Sequence, residues 1–345
     1  MKMKLALFLT FLFGCNCVFG QLSDDDCLSK IDSLILINKS KPFSGIVLIG
    51  LQEKELYQKT IGFSDIEKMK PIEKNDQFVI GSISKQFTTV LVLREYDKGR
   101  LKLHEPIRGY LPELTQSWAD TVTVHHLLTH KHGITELDKP TLFKVGSQYA
   151  YSQIGYDILA SITERTSGKT FAVQSAELFK LCGMQNTFHP DTKGYTHLVK
   201  GYTEEDNGSL KFDNTSFQNC AAAGSFISTA EDLLIWNNCF YTTKLLKEET
   251  MKLLTMKQKG AIRQHPIFGE THYGYGITVD TKDELLQWGQ TGFAPGFISM
   301  NFYFPETQTS VIVLENVAYD TDDLKKTFHI HTGILDVVRE NLQLK

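Results

Sequence analysis

The sequence predicts an α+β protein whose antiparallel sheet is built from both ends of the chain, with helices flanking it and a helical segment inserted between. Two observations carry this. Short apolar, β-branched runs bounded by turn residues cluster before about residue 80 and after about residue 275. Between them, over about 101–265, the apolar residues recur at helical spacing instead. No repeat, low-complexity tract or Pro/Gly-rich linker divides 21–345. The chain is therefore read as one domain over 21–345, with sheet parts at about 21–100 and 270–345.

Residues 1–20 stand apart. Lys2 and Lys4 precede an apolar run from Leu5 to Gly14, and Val18-Phe19-Gly20 ends on a small residue. That order reads as a secretory signal peptide cleaved before Gln21, and the run is shorter than the ~20 residues that span a bilayer. A second reading makes Leu12-Phe13-Gly14-Cys15 a lipoprotein signal with Cys15 as the lipidated residue, the one route to a membrane for this chain. Either way the expectation is export, to the periplasm or outside the cell.

Asp24 to Asp26 precede Leu28, Ile31, Leu34 and Ile35, a helix whose positive N-terminal end is met by carboxylates. Strands are expected at 43–51, 56–63 and 78–80, then a buried helix over 84–98 on the spacing of Phe87, Val90, Leu91 and Leu93. Ser228-Thr229-Ala230-Glu231 reads as a capping box opening a helix at 232–238. Later strands are expected at 275–279, 285–288, 297–304 and 310–314, and a closing helix at 322–341.

Composition excludes some functions. With 41% hydrophobic and 22% charged residues the chain can bury a sizeable core. The net charge of −4 includes no basic block, so no phosphate-neutralising stripe points to nucleic acid. Beyond Gln21 the cysteines are Cys27, Cys182, Cys220 and Cys239. Export permits disulfides, and four cysteines leave three pairings open. Their spacing contains no CxxC pair and points away from zinc.

The chemistry starts at Ser82-Ile83-Ser84-Lys85. Residues three apart on a helix share a face, so the Lys85 amine can reach the Ser82 hydroxyl. A serine at a helix start also has a free backbone N–H, which with the helix dipole can face a developing oxyanion. SxxK alone also occurs at ordinary helix starts. Two further segments add weight: Tyr151-Ser152-Gln153 before an apolar helix, and Gln290-Thr291-Gly292-Phe293 ending a strand.

In order and spacing, these three segments resemble the active-site motifs of the serine β-lactamase and penicillin-binding protein superfamily: SxxK, Tyr-x-Asn, then Lys-Thr-Gly or His-x-Gly. The resemblance is nearest to its class C, DD-peptidase and esterase branch and covers nearly all of 21–345. It implies a β-lactamase/transpeptidase-like fold and a Ser82 acyl-enzyme formed without metal or organic cofactor. It further implies proton transfer through Lys85 and Tyr151, an oxyanion hole from the N–H groups of Ser82 and Phe293, and substrate contacts at Gln153, Gln290, Thr291 and Gly292. The implied partner is a small-molecule or peptide acyl substrate, with β-lactams, cell-wall D-alanyl peptides and esters all open.

Two positions depart from the pattern. Gln153 replaces asparagine on a longer arm, and Gln290 replaces a cation. A neutral contact there loses about 1 kcal/mol or more against an anionic substrate, which moves weight toward esters and non-acidic amides. Whether Arg263 restores the missing charge stays open at this point. His126 and His130 lie at i and i+4, but no HExxH glutamate accompanies them and they read as structural. A rival class is a binding or sensor protein that keeps the fold and has lost turnover.

Overall fold

A computed structural model describes residues 25–192, 194–214, 221–242 and 245–343. The expected leader over 1–20, with Cys15, lies outside the described residues, as does Cys220. Among the described residues no helix is long and apolar enough to cross a membrane.

One sheet organises the molecule. Its strands are β1 (Gly45–Leu51), β2 (Lys54–Ile61), β3 (Ile262–His265), β4 (Gly269–Tyr273), β5 (Thr278–Asp280), β6 (Gln287–Ala294), β7 (Phe297–Phe304) and β8 (Thr309–Glu315). They are ordered β2-β1-β8-β7-β6-β5-β4-β3 and every neighbour pair is antiparallel. The two chain ends meet where β1 pairs β8, from Gly45 opposite Glu315 to Leu51 opposite Thr309.

Both central strands are apolar at every other position on both faces, because both faces are covered. Val47, Ile49, Val311 and Val313 pack with α1 (Asp25–Ile37) and the C-terminal helix, through Ile31, Ile35, Ile334 and Val338. Ile46, Leu48, Ile312 and Leu314 point the other way into the larger core. That core also holds α2 (Ser84–Asp97), α3 (Ile154–Ser167), α4 (Phe171–Cys182) and α5 (Ala230–Tyr241). The last long helix, α6, runs His329–Gln343.

The structure differs from the sequence expectation at four places. Strand β3 falls in the stretch expected to be helical insertion, because the alternation of the β3–β4 hairpin is masked by Arg263, Gln264, Glu270 and His272 on a polar sheet edge. The strand expected at 285–288 runs instead over Gln287–Ala294, so Gln290-Thr291-Gly292-Phe293 lies within β6 and the turn falls at Pro295-Gly296. Thr229, not Ser228, caps α5 by accepting from Asp232 N at 3.1 Å. The Asp232 carboxylate is taken instead by Asn186 N and Thr187 Oγ1, at 2.8 and 2.7 Å. Finally, α6 starts at His329, after a separate turn Leu324–Thr327 capped by Asp323.

Of the open pairings the structure forms Cys182–Cys239, joining the end of α4 to α5 across 57 residues. Cys27 is buried on the other face. Chain-entropy arguments for a loop of that length give about 4 kcal/mol of stability. Cys182→Ser/Cys239→Ser is expected to lose that amount in a urea titration of the oxidised protein, and an unchanged midpoint would refute the bridge as a stabilising element.

Burial also sets the acid limit of stability. His132, His265 and His331 are 0%, 4% and 0% exposed. Burial pulls their pKa values down to about 4, 3 and 3. An unfolded histidine titrates near 6.5, so below that pH the unfolded chain takes up protons that the native state refuses. Their contribution is complete above about 6.5 and is lost as pH falls toward 4, at about 1.4 kcal/mol per pH unit for each. Glu315, pushed well up by burial, and Asp157, raised to about 6 by burial against the pull of Lys85, act in the opposite sense. The expected net result is a loss of at least about 1 kcal/mol per pH unit between pH 6 and 5, read from urea midpoints. A flat profile there would contradict it.

Candidate active site

The site is built around a glycine. Gly81 has φ +53°, and a Cβ added there would lie 2.5 Å from Phe293 N and 2.7 Å from Gly292 C. Only glycine fits both the left-handed backbone and the close approach. The turn Gly81–Ile83 is thereby pressed against β6 as it enters α2. Its approach is fixed on two sides: Ser299 Oγ donates to Ile80 O at 2.8 Å, and Ile80 N donates to Phe226 O at 3.0 Å. Gly292 completes the fit, since a Cβ there would lie 2.2 Å from both Ile80 O and Ser299 Oγ. Ser82 is left partly exposed between the buried Gly81 and Ile83.

Lys85 follows one helical turn later and is fully buried. Its Nζ donates to Ser82 Oγ at 3.1 Å and to Ala223 O at 2.6 Å. That carbonyl belongs to the turn Ala221–Ser225, which is fastened to α2. Thr88 Oγ1 donates to Ala222 O at 2.6 Å, and Phe226 N donates to Ser84 Oγ at 3.2 Å. The lysine is thus held on the serine by a backbone acceptor supplied from 138 positions away in sequence.

Tyr151 stands over the pair, with Lys85 Nζ 4.9 Å from its ring centroid. Burial alone pushes its phenol up. The positive charges of Lys85 and Arg263, with hydrogen bonding from Ser82 and Lys85, outweigh this and bring its pKa below the ordinary value. Behind it lies a layer of rings. His130, fully buried, has its ring 4.5 Å from that of Tyr151; its Nδ1 accepts from Ser152 N at 3.2 Å, and its Nε2 meets Tyr273 Oη at 3.3 Å.

The structure brings Ser82, Lys85, Tyr151, Gly292 and Phe293 into one neighbourhood. Phe293 is 42% exposed, at the lip, with its backbone N against Gly81. Thr291 Oγ1 meets His265 Nε2 at 3.4 Å, a polar contact of its own. Gln153 is exposed at the mouth of α3 and makes no capping bond.

Gln290 departs from the expected substrate contact. It is fully buried, its amide donates to Tyr273 Oη at 3.1 Å, and its carbonyl accepts from Thr278 Oγ1 at 3.5 Å. The reason is its neutrality: an amide with both ends bonded can be buried cheaply, where a lysine could not. Its role is in the layer that carries His130 and Tyr273. The paired histidines are also apart in function. His126 Nδ1 accepts from Thr123 N at 3.2 Å as a helix cap, while His130 supports Tyr151.

Sequence reasoning missed three contributors. The Ala223 carbonyl carries no side-chain signal. Tyr273 sits on the unexpected hairpin. Arg263, named only as a candidate cation, places its guanidinium carbon 4.2 Å above the Tyr151 ring. Its position on β3 was invisible without that hairpin.

A serine at a helix start, hydrogen-bonded to a buried lysine one turn on and roofed by a tyrosine of depressed pKa, can attack a carbonyl and shed its proton locally. The antiparallel sheet with its helical layer is the β-lactamase/transpeptidase fold, and its members of this kind are serine hydrolases acting on amides or esters. This chain belongs to the Beta-lactamase family, whose family model matches residues 39–332. It is 34% identical to a "Beta-lactamase" of Escherichia coli (strain K12), over 82% of this chain and 86% of that one. It is 22% identical to "Penicillin-binding protein 4*" of Bacillus subtilis (strain 168), over 86% and 74% of the two chains. Among solved structures, the D-amino acid amidase of Ochrobactrum anthropi SV3 superposes with a TM-score of 0.79 at 18% identity, covering 91% of this chain and 99% of that one.

Proposed function

We propose that this protein hydrolyses an amide or ester by forming an acyl-enzyme on Ser82. The observation that carries this reading is the 3.1 Å contact between the buried Lys85 Nζ and Ser82 Oγ beneath Tyr151. Ser82 Oγ bonds to the substrate carbonyl carbon while its proton passes to the Lys85–Tyr151 pair. The N–H groups of Ser82 and Phe293 hold the resulting oxyanion. Collapse breaks the bond to the leaving amine or alkoxide, which takes that proton. Water then attacks the ester, returns a proton to the same pair, and releases the acid with Ser82 restored.

The relatives carry the names of a β-lactamase, penicillin-binding proteins, an esterase and a D-amino acid amidase, all within that reaction class. Gln290 is neutral and buried, so the third motif brings no positive charge to the cleft. This favours substrates without a carboxylate at that end, and carboxylesters and neutral amides head the order. β-Lactam and D-alanyl peptide turnover is the second reading, favoured by the 34% identity to a β-lactamase. We read the protein as exported, free after cleavage before Gln21 or held through Cys15; N-terminal sequencing of the processed protein separates these.

The test is intact-mass spectrometry after exposure to a fluorophosphonate and, separately, to benzylpenicillin, with Ser82→Ala as control. A Ser82-dependent fluorophosphonate adduct is expected. Rates on nitrocefin, a D-Ala-D-Ala peptide and p-nitrophenyl butyrate then rank the substrates. No labelling by either reagent would overturn the hydrolase mechanism in favour of a binding protein.

A further inference from the structure

Arg263 reaches the site from the sheet edge, in β3, where it pairs with Thr271 of β4. Its guanidinium carbon lies 4.2 Å from the Tyr151 ring centroid, and its Nη1 is buried with no hydrogen-bond partner among the described residues. Lys85 approaches the same ring at 4.9 Å. Neither cation forms an ion pair with a carboxylate among the described residues; Lys85 is bonded to Ser82 and Ala223, and Arg263 is stacked on the ring. Two positively charged side chains flank one half-buried phenol, an arrangement that favours negative charge on its oxygen.

We propose that Arg263 is a positioning residue of this site, whose stacked guanidinium supplies the positive charge that the third motif lacks at Gln290 and so keeps Tyr151 ready to accept the Ser82 proton. This rests on the Ser82 acyl-enzyme reading. The other groups facing Tyr151 cannot do it. They are the Ser82 hydroxyl, His130, held neutral by burial, and Tyr149, Tyr156 and Tyr273, whose phenols burial keeps protonated. Asp157, in the first turn of α3, is itself drawn down by the charge of Lys85. Among the described residues Lys85 and Arg263 bring positive charge to the ring, and with hydrogen bonds from Ser82 and Lys85 they outweigh the effect of burial on Tyr151.

Arg263→Gln, Arg263→Lys and the native protein are each compared with their Tyr151→Phe counterparts by ultraviolet tyrosinate absorbance, which isolates Tyr151. The midpoint is expected to rise by about one pH unit or more in Arg263→Gln, the usual effect of an opposite charge at this range, and by less in Arg263→Lys. The acidic limb of kcat/KM should move up with it. A midpoint unmoved in both variants would overturn the proposal, even if Arg263→Gln lowers the rate evenly at every pH. This readout needs no turnover. Loss of the acyl-enzyme reading shows separately, as Ser82→Ala retaining activity, and leaves the Tyr151 midpoint to decide the electrostatic role. Lys substitution, keeping charge at the same position, guards against a glutamine variant that folds poorly.

Discussion

Ser82→Ala is expected to lower kcat/KM on an activated ester by at least about 10^4-fold, equivalent to about 5 kcal/mol of transition-state stabilisation. Alanine removes the only atom that can form the acyl-enzyme while leaving the backbone N–H groups of residues 82 and 293 in place. The residue is partly exposed, and Lys85 Nζ, which bonds to its hydroxyl, keeps its Ala223 acceptor at 2.6 Å. Stability should therefore stay within about 1 kcal/mol of the native protein, so that loss of rate cannot be traced to unfolding. Lys85→Met should fall to a similar floor, because the Lys85–Tyr151 pair that takes the hydroxyl's proton no longer works without its lysine. The double variant should then be no worse than either single one, the non-additivity of residues acting as a unit. Steady-state kinetics on p-nitrophenyl butyrate checks all three. If the losses instead multiplied, Ser82 and Lys85 would be acting independently, and the shared-proton mechanism would fail.

Much of this site was legible in the sequence because its main contacts are local. The three-residue spacing of Ser82 and Lys85 dictates one helix face wherever that helix sits, and the structure places their side chains 3.1 Å apart. The central strands were equally plain: β1 and β8 are buried on both faces, and near-continuous apolar runs leave no helical alternative. What stayed hidden depends on pairing at long range. The hairpin β3–β4 is short, polar and at an edge, so no alternation advertises it, and the placement of Arg263 and Tyr273 beside Tyr151 and Gln290 was hidden with it. Gln290 was misjudged for a related reason. Its partners Tyr273 and Thr278 lie on neighbouring strands, and only their register shows that the amide turns into the protein. A backbone acceptor such as Ala223 O leaves no residue-type signature at all.

Gly81→Ala is the severest test of how the oxyanion hole is assembled. The substitution meets two separate costs. A φ of +53° holds any L-residue in the left-handed region, at about 1–2 kcal/mol. In addition, the new methyl group would sit 2.5 Å from Phe293 N and 2.7 Å from Gly292 C, both backbone atoms that cannot rotate aside. Either the Gly81–Ile83 turn must lift or β6 must retreat. Both movements separate the N–H groups of Ser82 and Phe293, and loss of one oxyanion donor is worth about 10^2–10^3 in kcat. The expected variant is folded, less stable by about 2–4 kcal/mol, and slower by that factor with KM little changed. Gly99→Ala supplies the matched control. Gly99 has φ +73° but nothing within 4 Å of the added carbon, so it carries the backbone cost without the collision. If Gly81→Ala and Gly99→Ala lost similar stability and neither lost kcat, the close approach of turn and strand would have no part in catalysis, and the assignment of Phe293 N–H to the oxyanion hole would fall with it.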